Sequence, residues 1–348
     1  MQAELSPEDA LRLHVLLAGE VQAVRIDEGA QTLFALTPKG EARIPLHRNC
    51  RPDLYVQRVR ELLGGHAMGS PGGYPVHLMR WNSMGQSSAR SLEALLKLGE
   101  PEAVRAVAQS SAMNDELARR VWWALPTMEV ARYLLAHPAV CTGSMGQVLA
   151  DFLIEHLPFE EAPVQAMNAI RAVVGARLID ADKAAQLWVK SKHRPHYFLG
   201  FLEHRPDDLP PEPARVLTAA LHEHLVQTGA AGDAWAQALL RCHGASGQSF
   251  LRAMSLVLDK PPAPETVHLA LDLLGGYFAR VRGAALTGHW PEALQREVAA
   301  MAALAALSHA DALPILSKTT AVGPLMRRHL EPLLAPVLAQ IHILRGRA

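Results

Sequence analysis

A few short stretches of this 348-residue chain carry residue types that could do chemistry. The first is a glycine run, Gly64-Gly65-His66-Ala67-Met68-Gly69-Ser70-Pro71-Gly72-Gly73-Tyr74-Pro75. Gly64 to Ser70 has the length of a phosphate-binding loop, but no lysine precedes Ser70 to meet the phosphates. The dinucleotide pattern Gly-x-Gly-x-x-Gly fails as well, because His66 stands where the second glycine is needed. Such glycine density permits backbone geometries that other residues avoid, so the run reads either as a hinge or as a loop that meets a ligand or partner. Two serines have partial hydrolase surroundings. Gly244-Ala245-Ser246-Gly247 is one residue short of a nucleophile elbow, and Gly69-Ser70-Pro71-Gly72 lacks the residue before serine.

The histidines and cysteines also fall short of a complete motif. His222-Glu223-His224 begins like a zinc-protease helix, but the ligand expected one turn on is Val226. His193 and His196 are one turn apart with Pro195 between them, and Lys192 and Arg194 make that stretch electropositive. Cys242 and His243 are neighbours, and neighbours on a helix do not face each other. Cys50 lies between Arg48 and Arg51, which would lower its thiol pKa at an exposed position. No catalytic residue and no metal ligand is therefore assigned. One aromatic and basic cluster stands out: Arg119-Arg120-Val121-Trp122-Trp123 within a helical pattern. Its two tryptophans must point to different surroundings, either grooves of the fold or a partner. Arg327-Arg328-His329 and Arg345 to Arg347 are basic clusters too sparse for a nucleic-acid face.

These residues must be positioned by a mostly helical scaffold. Ser6 caps a first helix that begins at Pro7, with Glu8 and Asp9 in its first turn. Val21–Asp27, Thr32–Thr37 and Glu41–Leu46, separated by Glu28-Gly29-Ala30 and Pro38-Lys39-Gly40, read as an antiparallel meander. Asp53–Leu63 reads as a helix that ends at Gly64-Gly65. From Ser87 on the pattern is helical, with breaks near Gly99, Pro126 and Pro158 at a spacing of roughly 30 residues, the range of helical-pair repeats. Arg205 to Pro213 is proline-rich and reads as a linker. Helices are expected after it over 214–228, 233–242, 249–258, 264–281, 291–307 and 323–344.

Lys and Arg total 34, as do Asp and Glu, so whole-molecule steering toward nucleic acid or an anionic membrane is not expected. The three cysteines are widely spaced, which argues against a disulfide framework and fits a reducing, cytoplasmic setting. The start, Met1-Gln2-Ala3-Glu4-Leu5, carries no secretory pattern. The longest apolar stretch, Val298–Leu307, is too short to span a bilayer.

The strings Glu20–Asp27, Ala35–Ala42, Arg58–Leu63, Gly69–Val76, Arg80-Trp81, Met84-Gly85-Gln86, Leu98–Val104 and Glu116–Ala124 resemble the DsrS family, over about the first 140 residues. That family is named for its association with the reverse-acting dissimilatory sulfite reductase system of sulfur-oxidising bacteria. The resemblance implies a soluble, cytoplasmic accessory or regulatory factor, and it brings no catalytic residues. In keeping with it, the chain has no iron–sulfur cysteine set, no haem-attachment motif and no sulfur-carrier cysteine near its C-terminus.

The expected architecture is a small α+β unit over residues 1–80, a HEAT-like or armadillo-like helical-repeat domain over 81–205, and a C-terminal helical domain over 206–348 that continues the stack. The expected function is non-enzymatic, through a protein partner first and RNA second, with no membrane and no cofactor. The contact region is placed at His66, Ser70, Tyr74, Trp81, Arg119, Arg120 and Trp123. The alternatives are a small-molecule sensor or enzyme that uses Ser70, His66 or Cys50 at the glycine run, and a structural, self-associating protein.

Overall fold

Local signals fix the first elements. In the computed structural model, which describes residues 5–68, 89–286 and 290–347, helix α1 (Pro7–Leu17) starts at the Ser6 cap, whose side chain accepts the Asp9 amide. The meander follows as β1 (Ala23–Asp27), β2 (Thr32–Thr37) and β3 (Gly40–Pro45), antiparallel in the order β1-β2-β3. Val24 pairs with Ala35, and Phe34 with Arg43. The Asp27 carboxylate closes the first turn on the Ala30 amide at 2.8 Å. Gly40 carries the second turn at φ 115°, a conformation that favours glycine. Leu13, Leu17, Val24, Leu33, Tyr55, Val59 and Leu63 share one core, which joins α1 and helix α2 (Pro52–Met68) to the sheet.

Helix α2 differs from its expected end. It runs through Gly64 and Gly65 to Met68. Neither glycine takes a positive φ, and a glycine inside a helix costs only about 1 kcal/mol, which the buried Val59 and Leu63 on the same helix offset.

The chain divides into two compact units, Met1–Glu155 and His156–Ala348, so the boundaries expected near residues 80 and 205 each fall inside a unit. The first unit adds α3 (Ala89–Leu95), α4 (Pro101–Ala108), α5 (Asp115–Ala124), α6 (Met128–Leu135), α7 (Pro138–Cys141) and α8 (Ser144–His156). Gly99, at φ 68°, makes the reversal before α4, and Pro101 occupies the first turn of that helix. Asn114 and Thr127 cap α5 and α6. The Asp115 carboxylate receives the Ser144 hydroxyl at 2.7 Å and the Ser144 and Met145 amides, each at 2.9 Å, at the start of α8; these bonds, the hydroxyl's first, hold its pKa below the usual range. Helix α4 packs on α3, α5 and α6, and α5 packs on α6, α7 and β1.

The second unit contains α9 (Pro163–Ala176), α10 (Ala181–Ser191), α11 (Phe198–His204), α12 (Ala219–Ala230), α13 (Ala234–His243), α14 (Ala245–Asp259), α15 (Pro264–Tyr277), α16 (Glu292–Ala305), α17 (Leu313–Leu316) and α18 (Gly323–Leu344). Helix α14 is its centre, with Phe250, Leu251, Met254 and Leu258 buried among α11, α13, α15 and α18. The helix expected from Ala214 begins only at Ala219. Before it, the Glu212 amide donates to Ser249 Oγ and the Arg215 amide to the His243 carbonyl, both at 2.9 Å, so the segment lies as an extended strap against α13 and α14. Among the described residues the chain is mostly α, with eighteen α-helices and one small antiparallel sheet. No single described helix is long and apolar enough to cross a membrane; only Glu292–Ala305 with His309–Leu316, bent by 82°, passes that test as a pair.

Candidate functional site

Helix α5 brings three of the expected contact residues together, and each meets a partner on its own unit. Trp123 donates its indole N–H to Glu41 on β3 at 2.9 Å, and Glu41 pairs with Arg25 on β1 at 3.0 Å. The Arg25 guanidinium lies 4.6 Å from the Phe34 ring centre and 5.0 Å from that of Trp123, a cation held between two aromatic faces. Arg119 grips both Glu116 oxygens at 2.8 Å and reaches Gln22 at 3.1 Å. Arg120 bonds to the same carboxylate and to Glu93. The Arg119 hydrogen bonds, with those of Arg120, overcome desolvation and hold the Glu116 carboxyl at about 2. Trp122 turns the other way and packs its edge on Phe152 of α8, with centroids 4.7 Å apart. The cluster is thus a half-buried seam of charge and aromatic contacts between α5 and the sheet.

His66 is exposed on the last turn of α2. Ser70, Tyr74 and Trp81 lie outside the described residues, as does the glycine run from Gly69 onward. Cys50 is half-buried, and Cys242 is fully buried, with its thiol pushed up by desolvation. His243, beside Cys242 in sequence, bonds to Glu297.

Two polar centres escaped the sequence reading. In the first unit, Asp9 is wholly buried and receives the Tyr55 hydroxyl at 2.5 Å, the His47 amide at 2.6 Å and His47 Nδ1 at 3.1 Å. Burial raises its pKa, but these hydrogen bonds outweigh that and leave it lowered. An aspartate that orients a histidine is the frame of a general base. Here, however, Ser6 Oγ lies by Tyr55 and caps α1, so it is not lined up with the imidazole as a nucleophile. The arrangement ties the start of α1 to the β3–α2 connection. Its only sequence signal was the Ser6–Asp9 spacing of the cap.

In the second unit, Glu297 on α16 is 3% exposed. One oxygen meets His243 Nε2 at 2.6 Å and the other bonds to Arg215 of the strap. Arg215 also donates to the Ile343 carbonyl at 2.8 Å. A glutamate in the middle of an alanine-rich helix was the available signal. Among the described residues no group of three His, Cys, Asp or Glu side chains could hold a metal ion. Compared with protein-family models, curated proteins and solved structures, the chain matches none.

Proposed function

We propose that the chain is a non-enzymatic accessory or regulatory protein of bacterial sulfur oxidation, of the DsrS type, that works in the cytoplasm by binding a protein partner, with RNA as the second option. One observation carries the reading. Three of the strings that resemble DsrS meet in the α5 seam: Gln22 and Arg25 from the first, Glu41 from the second, Arg119 and Trp123 from the last. Their residue types follow from holding α5 on the sheet, so the resemblance is one of scaffold, and a scaffold acts through its surface. The packing of α4 on α3, α5 and α6 supports an irregular HEAT-like or armadillo-like stack, which presents extended surfaces to macromolecules. Tagged full-length protein incubated with lysate of a sulfur-oxidising bacterium, with and without nuclease, tests it. Recovery of sulfur-oxidation enzymes in both arms is expected. Recovery of neither those enzymes nor their transcripts above background overturns the reading.

The alternative, a small-molecule sensor or enzyme at the glycine run, falls on residues that from Gly69 onward lie outside the described ones; a sensor at a different place is favoured by one observation in the second unit, a polar cavity walled by the strap and by the end of α18.

A further inference from the structure

The C-terminus of α18 closes in a Schellman motif. Gly346 takes φ 67°, its amide bonds to the Ile343 carbonyl at 2.9 Å, and the Arg347 amide reaches back to His342 at 3.0 Å. This turn sets Arg345 and Arg347 on either side of a glycine that lies close to the Arg215 guanidinium, since a Cβ on Gly346 would stand 2.7 Å from Arg215 Nη1. Together with Glu212, Gln248 and the strap they wall a cavity of about 390 Å³. That volume is at the small end of sites that hold metabolites.

The charges around the cavity do not balance. Both Glu212 oxygens are engaged by Arg252, at 2.5 and 2.6 Å. Arg215 is neutralised by Glu297. The helix end offers little negative charge, because Arg215 takes the Ile343 carbonyl and Gln248 the Leu344 carbonyl. Arg345 and Arg347 remain, with no ion pair and no side-chain hydrogen bond among the described residues. Arg345 Nε is buried without a partner. Burial first, then the charges of Arg347 and Arg252, lower the Arg345 pKa against the opposing charge of Glu212. A larger cavity of about 550 Å³ has a single such cation, Arg177, against two here: Arg205 pairs with Asp208, and Asp207 with Arg241.

We propose that the cavity between the strap and the end of α18 binds the dianionic phosphate of a small phosphorylated metabolite, with Arg345 and Arg347 as its charge partners. Two uncompensated guanidiniums match a phosphate monoester, which carries about −1.5 to −2 charges near neutral pH, better than a single carboxylate. The guanidinium fork also suits phosphate oxygens. The inference rests on the sensor reading and is independent of partner binding, so a chain that captures sulfur-oxidation enzymes yet ignores phosphate loses this inference alone.

The test is titration calorimetry on the full chain at low salt with inorganic phosphate, glycerol 3-phosphate, glucose 6-phosphate and, as a control, acetate. Saturable binding of the phosphate probes over acetate is expected, weakened about tenfold or more by Arg345→Gln with Arg347→Gln. Tighter binding of an ester identifies a metabolite as the source, whereas equal or tighter binding of inorganic phosphate overturns the metabolite assignment. Arg347→Glu, at an exposed side chain, gives the same loss without touching the core. Absence of phosphate binding, equal binding of acetate, or affinity unchanged in both variants overturns the proposal.

Discussion

Mild acid should weaken the second unit through one histidine. His196 sits in a 3-10 turn, Pro195–Tyr197, packed against α9, α10, α11 and α14, and is 9% exposed. Its ring lies edge-on to Tyr197 at 4.9 Å. Burial, helped by the charge of Arg194, pushes its pKa from 6.5 down to about 4. The sign follows directly. Between pH 6.5 and about 4 the unfolded chain binds a proton that the folded chain refuses, so stability falls as pH drops through that window and is unaffected above it. At 1.36 kcal/mol per pKa unit, the loss between pH 7 and pH 4 is about 3 kcal/mol. Carboxylates begin to titrate near the lower limit, so the effect is isolated by difference. Denaturant unfolding of the full chain and of His196→Gln, read by hydrogen exchange on peptides spanning 181–204, should show the wild type losing about 3 kcal/mol more than the variant across this range. Parallel pH profiles, or an imidazole that titrates near 6.5 by NMR, would refute the reasoning.

Further perturbations target other elements. Tyr55→Phe removes the hydroxyl that donates to buried Asp9 and should cost about 1.5–3 kcal/mol in urea unfolding of the first unit; an unchanged midpoint would mean that water replaces it. Glu297→Ala strips the carboxylate from Arg215 and His243 and should cost about 3–5 kcal/mol, and a calorimetric change below about 1 kcal/mol would show the pair to be solvated. The adjacent glycines of α15 should respond with opposite signs. A Cβ at Gly275 would overlap the Leu307 carbonyl oxygen, whereas one at Gly276 meets nothing within 4 Å. Gly275→Ala should therefore cost about 1–3 kcal/mol and Gly276→Ala gain about 0.5–1 kcal/mol, and melting shifts of the same sign would contradict the packing.

The elements legible in the sequence are those set by neighbouring residues. Ser6 before Pro7 gives the start of α1, and the Gly29 and Gly40 turns give the meander almost residue by residue. Prolines 101, 163 and 264 mark helix starts for the same local reason. Where distant partners decide, local pattern misleads. Ala214 to Thr218 has helical composition, yet Arg215 is committed to His243 and Ile343, groups supplied by α13 and α18. The α5 cluster was visible as unusual residue types, but Trp123 takes its meaning from Glu41, 82 positions earlier in the chain. Arg345 to Arg347 looked too sparse for nucleic acid, and nothing local announced that a strap more than a hundred residues upstream would face it.

Pairing separates scaffold from site in this molecule. A buried or half-buried charge must find a partner, because desolvation without compensation costs several kcal/mol. Arg25, Arg119 and Arg120 meet that demand within the first unit, as Arg215 does in the second, so architecture alone accounts for their presence. Arg345 does not meet it: an orphaned Nε is shared by Arg25 and Arg215, but those two have carboxylate partners, whereas Arg345 has no ion pair among the described residues, lies near Arg347 and Arg252, and borders open volume. A substitution of Arg345 by an uncharged residue should then leave the unliganded fold unharmed, or stabilise it by relieving repulsion, whereas the same change at Arg215 strands Glu297 and weakens the fold. Thermal melts of Arg345→Gln and Arg215→Gln in phosphate-free buffer test that contrast. Equal destabilisation by the two would place Arg345 among the scaffold residues and remove the physical ground for an anion beside it.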